Sequence, residues 1–392
     1  MNKTEKEIIK DRINAYIKDN LSKLIDLSME ICRIPSPTGY EGEKAAFLLN
    51  RLVKSGYVEA NIDEVGNVIC IYNGSKGQSG KLTAVTAHID TVFPRETDIK
   101  PQIKGNRIYA PSIIDNSVNV ASLVFIIEML GKLDIILPKG ILFAFNVGEE
   151  GLGNLKGMRF IMDNRKNMID AVVAVDGGYD TVVDKAVGSR RYSLRIKTEG
   201  GHSWKNFGRE NAIVHAAKIV NKIYEIKVPE NPKTTYNVGL IKGGISVNTI
   251  AQNAEILLDF RSESKECLER LVSDYEKIVC EIKTGYESSP KGKVEIESML
   301  LGERPCGVEF NNPLPELIEK IRKEKGINTR FESGSTDANI PLSMGIPAIS
   351  FGVGIGAGMH TKEEYLELDS LRTGLEILAS FILELSYTGV IL

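Results

Sequence analysis

One stretch of the chain joins a strand pattern to paired acids, and it reads Ile141-Leu142-Phe143-Ala144-Phe145-Asn146-Val147-Gly148-Glu149-Glu150-Gly151. Its first half is a nearly continuous apolar run, which is typical of a strand buried on both faces of a parallel sheet. Ligands of open α/β sheets bind at the carboxyl ends of the strands, so Glu149 and Glu150 are expected where chemistry takes place. Adjacent side chains point in different directions, so one carboxylate can hold a metal ion while the other faces a water molecule. A solvated acidic loop is the alternative, because charged residues are mostly exposed.

The length and charge of the chain narrow the classes of protein to which it can belong. At 392 residues it is too long for one typical domain, so two are expected. The 49 basic and 52 acidic residues give a net charge of −3 without a basic tract, which argues against nucleic acid as a partner. The first residues contain no apolar signal-peptide core and no apolar run approaches membrane-spanning length, so we expect no membrane partner. The five cysteines are scattered and form no CxxC motif, which predicts reduced thiols in the cytoplasm.

Two more apolar runs end in side chains that can bind metals. Residues 82–87 are followed by His88-Ile89-Asp90, and residues 171–175 are followed by Asp176-Gly177-Gly178. His88 can coordinate a metal through one ring nitrogen while Asp90 holds the other nitrogen and sets the tautomer. A lone histidine at a strand end is more often structural, so this hypothesis depends on the neighbouring strands. Three buried strands that each end in such residues favour one site at the edge of the sheet.

Asp115 lies between these strands, shortly before a predicted helix at 118–130. Its carboxylate could cap the amino end of that helix. Capping is compatible with metal binding, because the second oxygen of the carboxylate stays available. The residues alone leave both roles open.

A glycine-rich loop near the end of the chain leads to another histidine, and it reads Phe351-Gly352-Val353-Gly354-Ile355-Gly356-Ala357-Gly358-Met359-His360. A phosphate-binding loop opens a helix whose amino terminus holds the anion, whereas this loop opens onto His360. We therefore expect no bound nucleotide. The glycines are interpreted as a loop that folds tightly around a liganding histidine.

The middle of the chain changes character between residues 187 and 302. Its pattern predicts strand, helix, strand, strand, helix and strand, at 191–198, 211–224, 235–241, 253–261, 264–284 and 293–300. This order is the split βαβ sandwich, with four antiparallel strands and two helices on one face. We predict that it is inserted in an α/β catalytic domain formed by residues 1–186 and 303–392.

The candidate ligands all follow predicted strands or lie in loops of the α/β domain: His88, Asp115, Glu149, Glu150, Asp176 and His360. Two histidines with several carboxylates and no cysteine suit Zn²⁺ or a similar divalent ion. A carboxylate that bridges two such ions would form a two-metal hydrolase site.

The order of these motifs resembles the co-catalytic zinc exopeptidase and deacylase family of peptidase T, carboxypeptidase G, acetylornithine deacetylase, succinyl-diaminopimelate desuccinylase and aminoacylase. The shared motifs are His-x-Asp, a single Asp, Glu-Glu-Gly, a later Asp, Gly-Gly-His-Ser at 200–203 and a final His. Each motif alone is weak, but the combination is specific and spans nearly the whole chain. The resemblance implies a zinc-exopeptidase domain with a mixed, largely parallel sheet, and an inserted ferredoxin-like α+β domain for lid closure and dimerisation.

The resemblance also implies a role for each site residue. The ligands of two divalent ions, most simply Zn²⁺ with Co²⁺ or Mn²⁺ as alternatives, would be His88 and Asp176 for one, Glu150 and His360 for the other, and Asp115 between them. Asp90 would orient His88, and Glu149 would be the general base. These assignments agree with the chemistry, because two cations lower the pKa of a bound water and a free carboxylate can accept its proton.

The inserted domain is expected to supply further residues. His202 resembles the family's oxyanion-stabilising histidine, which in dimeric members reaches the site of the partner subunit. Asn248 and Arg261 resemble residues that hold the carboxylate and backbone of the substrate, and a guanidinium fork suits a carboxylate. A surface strand residue is the alternative for Arg261. Ser335 lies in a loop, 333–338, that resembles a substrate-contacting loop of the family.

The substrate class is the least determined feature. Residues 111–114 replace glycines that many family members carry before the bridging aspartate. Asp176 is typical of the aminopeptidase members, whereas deacylases and carboxypeptidases usually carry glutamate there. We therefore expect a peptidase T-like aminopeptidase or tripeptidase that forms homodimers through the lid. An N-acyl amino acid deacylase is the alternative, and a non-catalytic metal-binding scaffold is a remote one.

Overall fold

The computed structural model describes residues 4–74, 80–286 and 291–388, and the chain divides into two compact units. One unit comprises Met1–Ala186 and Val308–Leu392, and the other comprises Val187–Gly307. The predicted domains were bounded at 186/187 and 302/303, and the roles of catalytic and lid domain stay predictions.

The helices are α1 Glu5–Cys32, α2 Gly42–Ser55, α3 Val118–Lys132, α4 Lys156–Arg165, α5 Ala212–Tyr224, α6 Lys265–Tyr286, α7 Leu314–Glu324, α8 Asn339–Ser343 and α9 Ser370–Thr388. The strands are β1 Ala60–Ile62, β2 Val68–Tyr72, β3 Leu82–His88, β4 Gln102–Lys104, β5 Arg107–Tyr109, β6 Ile141–Asn146, β7 Ile169–Ala174, β8 Thr181–Ala186, β9 Gly188–Thr198, β10 Gly201–His202, β11 Thr234–Gly243, β12 Thr249–Ile250, β13 Asn253–Ser262, β14 Val294–Arg304, β15 Arg330–Gly334, β16 Ala348–Ser350, β17 Gly356–Ala357 and β18 Tyr365–Glu367.

The first unit is built on a mixed eight-stranded sheet in the order β1-β2-β6-β3-β7-β16-β8-β15. Strands β6, β3, β7 and β16 are parallel neighbours, and β2 joins them antiparallel. The register pairs His88 with Asn146, so the ends of β3 and β6 lie at one edge. Because β6 ends three residues before Glu149, the sheet brings the histidine and the paired acids together.

Apolar side chains cover both faces of this sheet. In β3, Val85 and Ala87 belong to the core beneath α1, α3 and α9, whereas Ala84 belongs to the core beneath α4 and α8. This alternation explains why the strand reads as a continuous apolar run. The expectation that no apolar run approaches membrane-spanning length is wrong for the segment Ile113–Lys132, which is long and apolar enough to cross a membrane. However, 94% of its apolar window is buried within the protein. This burial is typical of a helix in the core of a folded protein.

A small antiparallel sheet, β17-β18-β5-β4, connects distant parts of the first unit. Strand β18 pairs with β5, so that Tyr365 lies opposite Tyr109. The two segments that follow β5 and precede β18 carry Asp115 and His360. The small sheet therefore brings these two residues to the same region of the unit.

The second unit is a four-stranded antiparallel sheet in the order β11-β13-β9-β14. Helices α5 and α6 pack against β9 and β13 and enclose a separate core that includes Leu194, Ile256 and Phe260. The split βαβ order predicted for this segment is present, and the chain has the α/β class with an inserted α+β unit that the sequence predicted.

Candidate metal centre

His88 lies at the end of β3 and is almost completely buried. Its Nδ1 lies 3.2 Å from the carbonyl oxygen of Asp90 and 3.5 Å from Oδ1 of the same residue. Its Nε2 lies 3.1 Å from Oδ1 of Asp115 and 3.7 Å from Oδ1 of Asp176. One ring nitrogen is thus held by the chain while the other faces two carboxylates, which is the arrangement of a metal-binding imidazole.

Asp90 also shapes the turn that carries the paired acids. Its Oδ1 accepts the backbone N–H of Glu149 and its Oδ2 accepts that of Glu150, both at 2.9 Å. Oδ2 also accepts the hydroxyl of Thr38 at 2.9 Å. Asp90 therefore fixes the histidine and the Glu-Glu turn together, whereas the sequence predicted only the contact with His88.

Asp115 lies between the two histidines. Its Oδ1 faces His88, and its Oδ2 lies 3.0 Å from Nε2 of His360. It lies in an irregular turn, Ile113–Ser117, whose backbone is not helical at Asp115, and α3 begins only after this turn. The cap position of α3 is Ser117, so the alternative that Asp115 caps this helix is wrong.

His360 completes the group from the carboxyl-terminal part of the chain. Its Nε2 lies 3.0 Å from Oε1 of Glu150, and its side chain is 53% exposed. The glycine-rich loop before it packs against the loop that carries Asp176, since Gly352 donates to the carbonyl of Gly178 at 3.0 Å. A Cβ at Gly352 would collide with the carbonyl oxygen of Gly177, which explains why glycine is required there.

Three overlapping groups of side chains offer ligand atoms that lie within 4.8 Å of one another: His88, Asp115 and Asp176; His88, Glu149 and Glu150; and Asp115, Glu150 and His360. Asp115 and Glu150 each belong to two groups, and so does His88. All six residues predicted from the sequence are therefore brought together in one place.

The donor set fits a divalent metal ion. Among the residues that the structure describes, neither Nε2 of His88 nor Oδ1 of Asp115 has a hydrogen-bond partner, although both atoms are buried. Buried polar atoms without partners are costly, and a cation between them would satisfy both. Imidazole nitrogens and carboxylate oxygens without thiolates suit Zn²⁺ and related divalent ions.

The proximity of these groups changes their pKa values. Burial alone would lower the pKa of His88, but the nearby Asp115 and Asp176 carboxylates raise it well above its usual range. The hydrogen bond with Asp115 raises the pKa of His360 to about 9. Burial and the nearby Asp115 carboxylate raise the pKa of Glu150 to about 7. Without a metal, protons therefore occupy positions where a cation would bind.

Three buried residues around the site were missed in the sequence. Glu364 accepts three backbone N–H groups from residues 112–115. Asn119 accepts the N–H of Val353 at 3.0 Å and donates to the carbonyl of Gly177 at 3.1 Å. Asp337 accepts from the amide of Asn146 at 2.7 Å, and burial raises its pKa to about 6. Of these three residues, only Asp337 could have been found from the sequence, because it lies in the loop 333–338 that also contains Ser335.

The predicted substrate residues belong to different parts of the chain. Ser335 is half-buried in the first unit, between β15 and α8. In the second unit, the exposed His202 lies on β10, which pairs with β12, and the exposed Asn248 directly precedes β12. Arg261 is partly exposed, and its Nε donates a hydrogen bond to Oδ2 of Asp259 at 2.7 Å. Contact of these residues with a substrate stays a prediction.

The fold and the candidate metal-ligand cluster together fit a metal-dependent hydrolase with an inserted α+β unit. The sequence model of peptidase family M20/M25/M40 matches residues 84–384, and the chain belongs to this family. The resemblance inferred from the motifs is therefore confirmed.

Several named proteins are similar to this chain over most of its length, at low sequence identity. A tripeptidase structure from Staphylococcus aureus has 23% identity and a TM-score of 0.77, with 94% of this chain and 99% of that chain covered. The Bacillus subtilis protein YXEP, described as a dinuclear metal-binding peptidase, has 16% identity and a TM-score of 0.67, with 95% and 99% covered. A succinyl-diaminopimelate desuccinylase from Corynebacterium glutamicum is 23% identical over 387 residues, with 95% of this chain and 100% of the relative covered.

Proposed function

We propose that this protein hydrolyses the amide bond of short peptides as a peptidase T-like aminopeptidase or tripeptidase that uses two divalent metal ions. The observation that carries the proposal is the Asp115 carboxylate, whose two oxygens face His88 and His360 separately. A carboxylate in this position can bridge two cations, with Asp176 beside one histidine and Glu150 beside the other. Zn²⁺ is the simplest occupant, and Co²⁺ or Mn²⁺ could replace it.

Two bound cations would supply Lewis acidity, which would lower the pKa of a bound water and polarise the scissile carbonyl. Glu149 is the proposed general base, since it is buried beside Glu150 and is not required as a ligand in this assignment. Its carboxylate accepts a proton from the attacking water and later gives it to the leaving amine. Asp90 holds the backbone N–H of Glu149 and thereby fixes the base relative to His88.

The second unit is proposed to act as a lid and dimerisation domain. His202 would donate a hydrogen bond to the oxyanion that develops during attack. Asn248 and Arg261 would hold the carboxylate and backbone of the peptide, with Ser335 contacting the substrate from the first unit. In a homodimer, His202 would serve the site of the partner subunit, which makes dimerisation part of the activity.

Three observations bear on the choice of substrate. Asp176 and the likeness to the Staphylococcus aureus tripeptidase favour a peptide substrate. The desuccinylase relative, which this chain matches over its full length, favours the second candidate function, deacylation of an N-acyl amino acid by the same residues.

The test is metal content by mass spectrometry together with hydrolysis of two substrate panels, with and without chelator. One panel contains glycine-containing tripeptides and the other contains N-acetyl and N-succinyl amino acids. Two metals per chain and chelator-sensitive tripeptide cleavage are expected. Cleavage of acyl amino acids alone would favour the second candidate function, deacylation. A chain that binds no metal would overturn the proposed site.

The oligomeric state and the compartment are tested separately. Sedimentation at assay concentration is expected to show a homodimer, and an active monomer would contradict the role of His202 in the partner's site. A cytoplasmic location is proposed from the cysteines, all five of which are free thiols in the structure.

A further inference from the structure

Glu364 is a fully buried carboxylate that the proposed mechanism does not use. It lies four residues after His360 and directly before β18. Its Oε2 accepts the backbone N–H of Ser112 at 2.8 Å, and its Oε1 accepts those of Ile114 and Asp115 at 2.8 and 3.0 Å. Its own carbonyl accepts the N–H of Ala110 at 3.0 Å. Glu364 therefore accepts hydrogen bonds along the whole segment that leads to Asp115, residues 110–115.

The segment before Asp115 depends on such an acceptor because its backbone is irregular. Ser112 has a left-handed conformation with a φ of 65°, and Asp115 has a φ of −121° and a ψ of 86°. Backbone N–H groups in such a segment need a partner outside a regular helix or strand, and a buried N–H without an acceptor is unfavourable. A carboxylate is a strong acceptor for several N–H groups at once. A residue that only filled space here would be apolar, since burial of a carboxylate is costly.

We propose that Glu364 is a positioning residue that fixes Asp115 between His88 and His360 and thereby sets the affinity of the site for its metal pair. The same residue lies on the segment that carries His360, so its hydrogen bonds tie two proposed ligands of one cation to each other. Outer residues that orient ligands commonly affect metal affinity as well as activity. This inference rests on the proposed function, because it needs Asp115 to be a ligand.

The chain offers two variants and a matched control. Glu364→Ala removes all three acceptor contacts. Glu364→Gln keeps one oxygen for Ile114 and Asp115 but turns an amide NH₂ towards the N–H of Ser112. Glu367→Gln is the control. Glu367 lies three residues further along the chain, on β18, and its partly exposed carboxylate pairs with Arg107 at 2.9 Å.

The first readout is the dissociation constant for Zn²⁺, measured on metal-free full-length protein by competition with a chromogenic chelator. We expect about 10- to 100-fold weaker binding in Glu364→Ala. We expect about two- to tenfold weaker binding in Glu364→Gln, which loses one hydrogen bond, and unchanged binding in Glu367→Gln.

The second readout is hydrogen exchange of the metal-free protein, which does not depend on loaded enzyme. Peptides that cover residues 110–117 should exchange faster in Glu364→Ala, whereas peptides from β3 and β6 should not change. A merely structural residue would instead raise exchange across the first unit and leave the affinity for Zn²⁺ unaltered.

The outcomes separate this inference from the function on which it rests. Wild-type affinity for Zn²⁺ in Glu364→Ala would overturn the positioning role while leaving the proposed function intact. Absence of metal binding in the wild type would overturn both. If Glu364→Ala does not fold, Glu364→Gln decides: weaker binding supports the role and wild-type binding overturns it.

Discussion

Glu149 is the one residue to which we assign the role of general base. Replacement of Glu149 by Gln removes the proton acceptor and preserves the shape of the side chain. Turnover should fall by about 10²- to 10⁴-fold, because that is the usual contribution of a positioned base. Metal content should stay that of the wild type, since His88, Asp115, Asp176, Glu150 and His360 are unchanged.

The measurement pairs kcat with metal analysis of the same preparation. Glu43→Gln is a suitable control, because Glu43 is a surface residue that pairs with Arg95. Retained activity in Glu149→Gln would show that another group takes the proton. Loss of metal would instead move Glu149 into the ligand set, as its place beside His88 and Glu150 would allow.

His360 gives the site a pH dependence whose direction follows from its pKa. The hydrogen bond with Asp115 raises this pKa to about 9 in the metal-free protein, against an ordinary value of 6.5. The bound proton therefore stabilises the metal-free fold fully below 6.5, and this contribution is lost as the pH rises through 9. A cation must displace that proton, so the affinity for metal should increase from pH 6.5 up to about 9.

Titration calorimetry with Zn²⁺ in buffers of different ionisation enthalpy measures the protons released on binding. Release is expected at pH 7 and should diminish above pH 9. In the variant His360→Asn, the release should fall by the proton that His360 carries. Binding without any proton release at pH 7 would contradict the raised pKa.

At the scale of the elements, Asn119 at the start of α3 connects three loops. Its amide donates to Oδ1 of Asn116 at 2.6 Å and to the carbonyl of Gly177, and it accepts from Val353. Asn119→Ala would leave buried groups without partners, so the free energy of unfolding should fall by about 1–3 kcal/mol. Urea denaturation measures this change. Asn164→Ala is the control, because the side-chain amide of Asn164 donates to the carbonyl of Phe160 at the surface. An equal loss of stability in both variants would refute the connecting role of Asn119.

The sequence predicted the elements whose side-chain pattern is strong. Strands β3, β6 and β7 are largely apolar because both of their faces are covered. His88 ends β3, Glu149 lies three residues after β6, and Asp176 lies two residues after β7. Thr4 and Glu7 form a capping box at the start of α1, which is a sequence pattern of only four residues. Local patterns were sufficient in these cases because burial and capping act over a few residues.

Some elements and contacts could not be predicted because they depend on partners that are distant in sequence. Strands β5 and β18 have three residues each, which is too short for a periodic pattern, and they pair across more than 250 residues of sequence. Glu364 reads as one of two adjacent solvated acids, and only the folded chain shows that its acceptors face residues 112–115. Asn119 reads as a polar residue at the beginning of an apolar helix. The supports of the site were therefore missed while its ligands were found.

At the scale of the whole molecule, the candidate ligands all belong to one of the two units. Each unit has its own apolar core, and the residues from His88 to His360 that form the cluster lie in Met1–Ala186 and Val308–Leu392. A ligand that binds only the folded state stabilises it by mass action, by about 2.7 kcal/mol at a concentration 100 times its dissociation constant. Metal should therefore stabilise the first unit directly.

The expected result is a rise in melting temperature with Zn²⁺, accompanied by slower hydrogen exchange in peptides that carry His88, Asp115 and Glu150. Peptides from the core of the second unit, around Leu194 and Phe260, should change little, because no proposed ligand comes from that unit. Asp115→Asn should abolish the shift, since it removes the charge between the two histidines. Equal protection of both units by the metal would contradict this prediction and would indicate that the two cores unfold as one cooperative structure.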